Sequence, residues 1–280
     1  MKRNIYTLVI PRFEDIFHSF FAQEIIKGVS SAASHLQVDI LMHITERGKV
    51  DHWYSSQVFA AHVSQGILFA DIDQDRVGLK KVVNKNIPCV VLNNSFIEPI
   101  NCISIDNYKA TRRIMEYLVG LGHKKIATIC GDLCTESGQD RLKGYNDGLH
   151  AAGIEVESQY IKKGEFLRTP ARHAAEKLLN LPQRPTAIFA ASDVMALEVM
   201  DIAKTKNIKI PQQLSIIGFD DNPLNQYSSI GLTTVKQPIT EMASMGLETL
   251  HRIVTGQHKK TVQEKLPARL IKRNSCTGIK

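Results

Sequence analysis

The residues of this 280-residue chain with chemical potential stand in short polar clusters directly behind β-branched runs. They are Arg12-Phe13, Asp71, Asn93-Asn94, Asp106-Asn107, Asp132, Glu165-Phe166, Ser192-Asp193 and Asp220-Asp221. Carboxylates, amides and aromatics in one set match a neutral polyhydroxyl ligand, because every hydroxyl both donates and accepts a hydrogen bond. Asp and Asn are also ordinary turn formers and helix caps, so position alone does not separate binding from capping. Asp220-Asp221 has the form of an acid/base pair, but no nucleophile or partner base accompanies it. The chain carries no nucleophile elbow, phosphate-binding glycine loop, HExxH helix or dinucleotide fingerprint, so no catalytic residue is expected. Histidines such as His35, His43, His52 and His62 follow no ligand spacing. The five cysteines, Cys89, Cys102, Cys130, Cys134 and Cys276, form no CxxC pair. Neither a metal nor a cofactor is expected, and the thiols fit a reducing compartment.

These clusters must be positioned by the runs that precede them. The pattern predicts strands at Ile5–Ile10, Val38–His43, Gly66–Ala70, Cys89–Leu92 and Cys102–Ile105, then at Lys125–Cys130, Tyr160–Lys163, Ala187–Ala190 and Leu214–Gly218. Amphipathic segments predict helices near Phe21–His35, Ser55–Val63, Asp75–Asn84, Lys109–Leu121, Arg141–Ala152, Pro170–Leu179, Asp193–Thr205 and Ile239–Thr255. Strand and helix in alternation define an α/β protein with parallel sheets.

The two strand sets echo each other. Ile26-Lys27-Gly28 corresponds to Leu142-Lys143-Gly144, Gln65-Gly66-Ile67-Leu68-Phe69-Ala70 to Thr186-Ala187-Ile188-Phe189-Ala190-Ala191, and Ile87-Pro88 to Ile210-Pro211. Matches in register predict two similar doubly wound lobes. Parallel strands put their C-terminal ends on one edge, where ligands settle, so two such edges predict a ligand cleft between the lobes. The expected division is 1–106 with 238–264 and 107–237 with 265–280, joined by three crossovers near Ile105–Asn107, Val235–Pro238 and Lys265–Ala268.

Composition excludes other classes. With 43% apolar and 22% charged residues the chain is expected to fold around a packed core rather than stay disordered. No apolar run approaches the roughly 20 residues of a membrane span, and Met1-Lys2-Arg3 leads into a strand without a cleavage site. A cytoplasmic protein with no membrane partner is expected. The formal charge of +7 is scattered, with no block longer than pairs such as Lys80-Lys81 or Lys124-Lys125, which describes a solvated surface.

Six runs stand in order along the chain: Leu121-Gly122-His123-Lys124-Lys125-Ile126-Ala127, Arg141-Leu142-Lys143-Gly144-Tyr145, Pro185-Thr186-Ala187-Ile188-Phe189-Ala190, Asp193-Val194-Met195-Ala196-Leu197, Ile216-Ile217-Gly218-Phe219-Asp220-Asp221 and Leu232-Thr233-Thr234-Val235-Lys236-Gln237-Pro238. Together they resemble the effector-binding core of LacI/GalR-family bacterial transcription regulators, a type I periplasmic-binding-protein-like fold. The resemblance covers nearly the whole chain. It implies a homodimer that binds a small effector, a sugar, phosphosugar or purine, and by lobe closure controls operator DNA binding. It further implies that Arg141 reaches effector hydroxyls or phosphate from the start of its helix, that Asp220 accepts from hydroxyls, that Phe166 lies on the ring face, and that Asp106 is the acid at the first crossover. Ser192, beside Asp193, stands where many members carry Asn.

Two departures qualify the resemblance. The family's Asn-Pro-Phe motif after the first strand is replaced by Arg12-Phe13-Glu14-Asp15-Ile16-Phe17-His18-Ser19-Phe20-Phe21, in which Phe21 aligns with the pocket and Phe13, Phe17 and His18 form a bulkier lip. The first core strand begins at Ile5, so the family's helix-turn-helix is expected to be absent from this chain, with DNA contacted only through that missing domain. The expected ligand contacts are therefore Arg141, Asp220, Phe166, Asp106, Ser192, Asp193, Phe21 and Asp71. A solute-binding protein of a sugar transporter shares the two-lobed design and is the alternative.

Overall fold

The computed structural model describes residues 3–12, 19–46, 53–60, 62–72, 75–227, 230–258 and 260–279. Along the chain run β1 (Ile5–Arg12), α1 (Phe20–Leu36), β2 (Asp39–Glu46), β3 (Gly66–Phe69), α2 (Arg76–Val83), β4 (Cys89–Leu92), β5 (Cys102–Ile105) and α3 (Asn107–Gly120). They are followed by β6 (Ile126–Cys130), α4 (Glu136–Ala151), β7 (Ile161–Lys163), α5 (Arg168–Leu179), β8 (Ala187–Ala190), α6 (Asp193–Thr205) and β9 (Ser215–Ile217). The last elements are β10 (Thr234–Lys236), α7 (Ile239–Val254), β11 (Gln263–Leu266) and β12 (Arg269–Ile271).

The chain divides into two compact units, residues 1–105 with 238–266 and residues 106–237 with 267–280. Unit 1 holds a six-stranded sheet in the order β11-β5-β4-β3-β1-β2, and unit 2 a four-stranded sheet in the order β7-β6-β8-β9. All pairings within these two sheets are parallel. The fold is thus α/β with two wound parallel sheets. Every residue of β3, β4, β5, β6 and β8 is buried, as central parallel strands with both faces covered must be. Edge strand β2 exposes Met42 and Ile44.

Side chains at the sheet edges cap the helices that follow. Asp75, Asp106, Thr135 and Ser192 accept hydrogen bonds from the backbone N–H of Gly78, Lys109, Gly138 and Met195. Three expectations need correction. The helix expected at Ser55–Val63 is two short 3-10 turns, Trp53–Ser55 and Gln57–Phe59. The Ser56 hydroxyl accepts from Val58 N and stops a continuous helix. Helix α4 begins at Glu136, because Thr135 is its cap, so Arg141 sits in the second turn rather than at the start. Strand β12, not expected from the pattern, pairs antiparallel with β10 inside unit 2.

Candidate functional site

Arg141 is the centre of the site. Its position in α4 carries the side chain inward, and the residue is 4% exposed. Burying a guanidinium costs several kcal/mol unless its donors are satisfied. Here Nε donates to Asn107 Oδ1 at 3.0 Å, Nη1 to the Ala191 carbonyl at 2.6 Å and Nη2 to Gln237 Oε1 at 3.2 Å. The Phe219 ring lies 3.8 Å from the guanidinium carbon and the Phe166 ring 5.5 Å from it, so the cation has aromatic rings for neighbours. Burial lowers its pKa to about 10, against the opposing pull of Asp220, Asp193 and Asp140, so it stays charged at neutral pH.

Asp220 follows β9 with φ 136°, a backbone region that favours glycine, and its neighbour Asp221 has φ 59°. The Asp220 N–H is fixed on the Val235 carbonyl at 2.8 Å. One carboxylate oxygen stands 4.0 Å from Arg141 Nη1 and also accepts from Gln237 Nε2 at 2.6 Å; the other accepts from the Asp193 N–H at 3.4 Å. The Gln237 amide therefore joins the two charges, its oxygen on Arg141 and its nitrogen on Asp220. Burial and then the adjacent Asp193 push the Asp220 carboxyl well above the ordinary carboxylate range, with Arg141 pulling it back.

Asp193, expected as a ligand contact, is 0% exposed. One of its carboxylate oxygens accepts from Thr234 Oγ1 at 2.5 Å, the other from Asn222 N and Asn225 Nδ2, both at 2.7 Å. These bonds staple the start of α6 to the loop after β9 and to β10. Gly218 is required beside it, since a Cβ there would overlap the Asp193 carboxylate. Ser192 is buried, and its hydroxyl caps α6. Asp106 caps α3 and pairs with Lys109 at 3.1 Å, while the next residue, Asn107, reaches Arg141.

Phe166 and Glu165 both have left-handed backbone, φ 61° and 56°. This turn lays the Phe166 ring over Gly131 at the end of β6, and a Cβ at Gly131 would fall inside the ring. Arg141, Asp220, Phe166, Ser192 and Asp193 are thus assembled along one edge of the unit 2 sheet. Asp221, the second member of the acid pair, is engaged by Arg273 at 2.6 Å.

Unit 1 carries its own polar edge. Asp71, buried after β3, accepts from Ile72 N and from Asn93 Nδ2, both at 2.7 Å; Asn94 Oδ1 also accepts from Ile72 N, at 3.2 Å. Asn93, after β4, has φ 60°. Phe21 is half-buried in the first turn of α1, whose N-cap is Ser19. Phe13, Phe17, His18 and His52 lie outside the described residues.

Sequence reasoning assigned no role to Gln237 or Phe219. Both stand in the runs quoted above, next to Pro238 and Asp220, but nothing in their spacing signals a contact with Arg141. Among the described residues no group of three or more His, Cys, Asp or Glu side chains could hold a metal ion. No helix among them is long and apolar enough to cross a membrane.

The periplasmic binding protein-like domain family matches residues 115–276. The whole chain aligns at 32% identity with the HTH-type transcriptional repressor CytR of Escherichia coli K12, covering 82% of that protein. The transcriptional regulator CelR in its cellobiose complex superposes with a TM-score of 0.89 at 25% identity, over 98% of this chain and 85% of CelR. The lac repressor dimer bound to operator and an anti-inducer superposes with a TM-score of 0.88 at 25% identity, over 99% of this chain and 95% of the repressor chain. The chain belongs to the LacI family of transcription regulators and has the family's effector-binding core, of the periplasmic-binding-protein-like fold. These relatives are transcriptional regulators rather than enzymes, which favours a regulator over the solute-binding protein of a transporter.

Proposed function

We propose that this chain senses a small sugar or sugar phosphate and, as a cytoplasmic homodimer, passes its occupancy to operator DNA binding. It performs no bond-making of its own. The observation that carries the reading is the Arg141–Gln237–Asp220 cluster, two opposite charges joined by one amide at a sheet edge, with Phe166 beside them. Donor, acceptor and apolar ring face are the three features a pyranose or furanose presents.

Arg141, Asp220 and Phe166 contact the effector directly. Asp193, Ser192 and Asp106 hold the backbone on which those three stand. On unit 1, taken by itself, Asp71 and Phe21 are the side chains with the chemistry to meet a sugar. CelR binding cellobiose and the lac repressor binding operator as a dimer support this reading by kinship.

Gln237 supplies the route from ligand to response. It is the last residue of unit 2 before the chain re-enters unit 1 at Pro238, one of three crossings together with 105–106 and 266–267. A ligand that competes for Arg141 and Asp220 changes the hold on this amide and so the strain on the crossing. Shifting a two-state regulator from 1:99 to 99:1 requires about 5.5 kcal/mol of differential affinity, within reach of a few charge-assisted hydrogen bonds.

A melting-temperature screen against sugars, sugar phosphates and purines tests the proposal. An effector at 100 times its Kd stabilises by about 2.7 kcal/mol, a readily measured shift. Arg141→Ala is expected to abolish that shift while the ligand-free protein still folds. A variant that responds like the parent overturns the site.

A further inference from the structure

We infer that the surface of unit 1 formed by α2 and the loop from β4 to β5 is a self-association face. A second copy of this chain seats its Ile97 in a cavity of the first and receives the first copy's Ile97 in its own, independently of any effector.

The loop supplies the projecting side chain. Its flanks turn inward, since Phe96 and Ile100 pack against the buried cluster that holds Phe69, Leu79 and Val91. Ile97 between them is 101% exposed, as bare as in an extended peptide. Single exposed apolar residues are ordinary on protein surfaces, so exposure alone says little. What sets Ile97 apart is how firmly the loop holds it out. Gln263 Nε2, from β11, lies within donor reach of the Phe96, Glu98 and Ile100 carbonyls, at 3.1, 2.8 and 3.4 Å. Arg76, from α2, donates to the Ser95 carbonyl at 3.1 Å, and its guanidinium lies over the Phe96 ring. The Asn101 amide donates to the Cys89 carbonyl and accepts from the Val262 N–H, which closes the loop. A side chain presented on a fixed backbone loses little freedom on docking.

The receiving cavity lies two residues further along the same loop. Pro99 and Ile100 form one wall of a space of about 240 Å³, and Val83, Ile87 and Pro88, where α2 gives way to β4, form the other. An apolar cavity of about 150 Å³ takes up benzene, a larger group than the isoleucine side chain, so the room suffices. A surface that carries both a projection and a matching hollow is complementary to itself about a two-fold axis, the commonest symmetry of protein assemblies. A foreign partner would need only one of the two.

The rim agrees with this occupant. It carries both signs of charge, Glu98 standing 3.8 Å from Arg76 and 3.5 Å from Lys80, so two copies can exchange ion-pair partners rather than repel. The neighbouring cations Lys81 and Lys85 are drawn to Tyr54. Val77, 67% exposed beside Arg76, extends the apolar surface.

Sedimentation velocity over about 1–200 µM protein tests the inference. At the upper end the wild type is expected to have twice the particle mass of Ile97→Asp, a change at a fully exposed position that should move Tm by less than about 1 °C. If the Ile97→Asp particle is the homodimer proposed above, the wild-type product is a tetramer. A monomeric Ile97→Asp particle contradicts the separate homodimer and leaves this face standing.

A second measurement locates the contact. Ile97→Cys and Val83→Cys chains, mixed and gently oxidised, should give as their main product a disulfide between position 97 of one chain and position 83 of the other, mapped by mass spectrometry. Equal masses of wild type and Ile97→Asp at every concentration overturn the inference, and so does any other main pairing of the introduced thiols.

Discussion

The polar edge of the unit 1 sheet and that of the unit 2 sheet use one design with different chemistry. Each places an acid after a strand and a left-handed residue close by, Asp71 with Asn93 in unit 1 and Asp220 with Asp221 in unit 2. In unit 1 the acid accepts from the Ile72 N–H and the Asn93 amide. In unit 2 a buried arginine stands 4.0 Å from the acid, and a second, fully buried acid, Asp193, lies behind it. A charge withdrawn from water demands complete pairing, so the unit 2 edge should be far less tolerant of change.

The largest effect is expected from Asp193→Ala. It leaves Thr234, Asn222 and Asn225 donors unpaired in the interior and should cost about 3–5 kcal/mol in urea unfolding. Asp71→Ala, which gives up the bonds from the Ile72 N–H and the Asn93 amide, should cost about 1–2 kcal/mol. Equal losses would break the contrast between the two edges.

Gly131→Ala sharpens it. The new methyl displaces the Phe166 ring, so effector affinity should fall about tenfold, the order of one lost ring contact, while Tm moves by only a few degrees. Calorimetric titration separates that outcome from general destabilisation.

The pH response is smaller. Asp220 has its folded pKa raised by burial, so between the ordinary Asp value and the raised one the folded state binds more protons than the unfolded state. This group's contribution to stability therefore declines as pH rises through that window, and Asp220→Asn should flatten the slope of Tm against pH. An unchanged slope would remove Asp220 as its source.

The smallest change belongs to unit 1. Asn93→Gly relieves a left-handed backbone but gives up the bond to Asp71, two opposing effects of about 1 kcal/mol each. A near-neutral result by urea titration is expected.

Much of the fold was legible because buried parallel strands are written as unbroken apolar runs. Cys89–Leu92 and Ala187–Ala190 are such runs, and both are strands at those residues. The polar residues behind them were legible for the same reason, as the chain must leave each strand on the same edge. What escaped was fixed by distant partners. Gln237 meets Arg141 across 96 positions, a contact with no local period. Asp193 looks like any first-turn acid until Gly218, Asn222, Asn225 and Thr234 close over it. The true start of α4 was hidden because Thr135 and Gly138 read as loop residues, although Thr135 is the cap.

The most direct measurement is calorimetric titration of the best-stabilising neutral sugar into the wild type and Asp220→Asn under identical buffer conditions. Loss of an acceptor that is charge-paired through Gln237 should weaken binding by about 1.5–3 kcal/mol, a tenfold to hundredfold rise in Kd, with the variant still cooperatively folded. An unchanged Kd in a folded variant would contradict the assignment of the effector to this edge of unit 2.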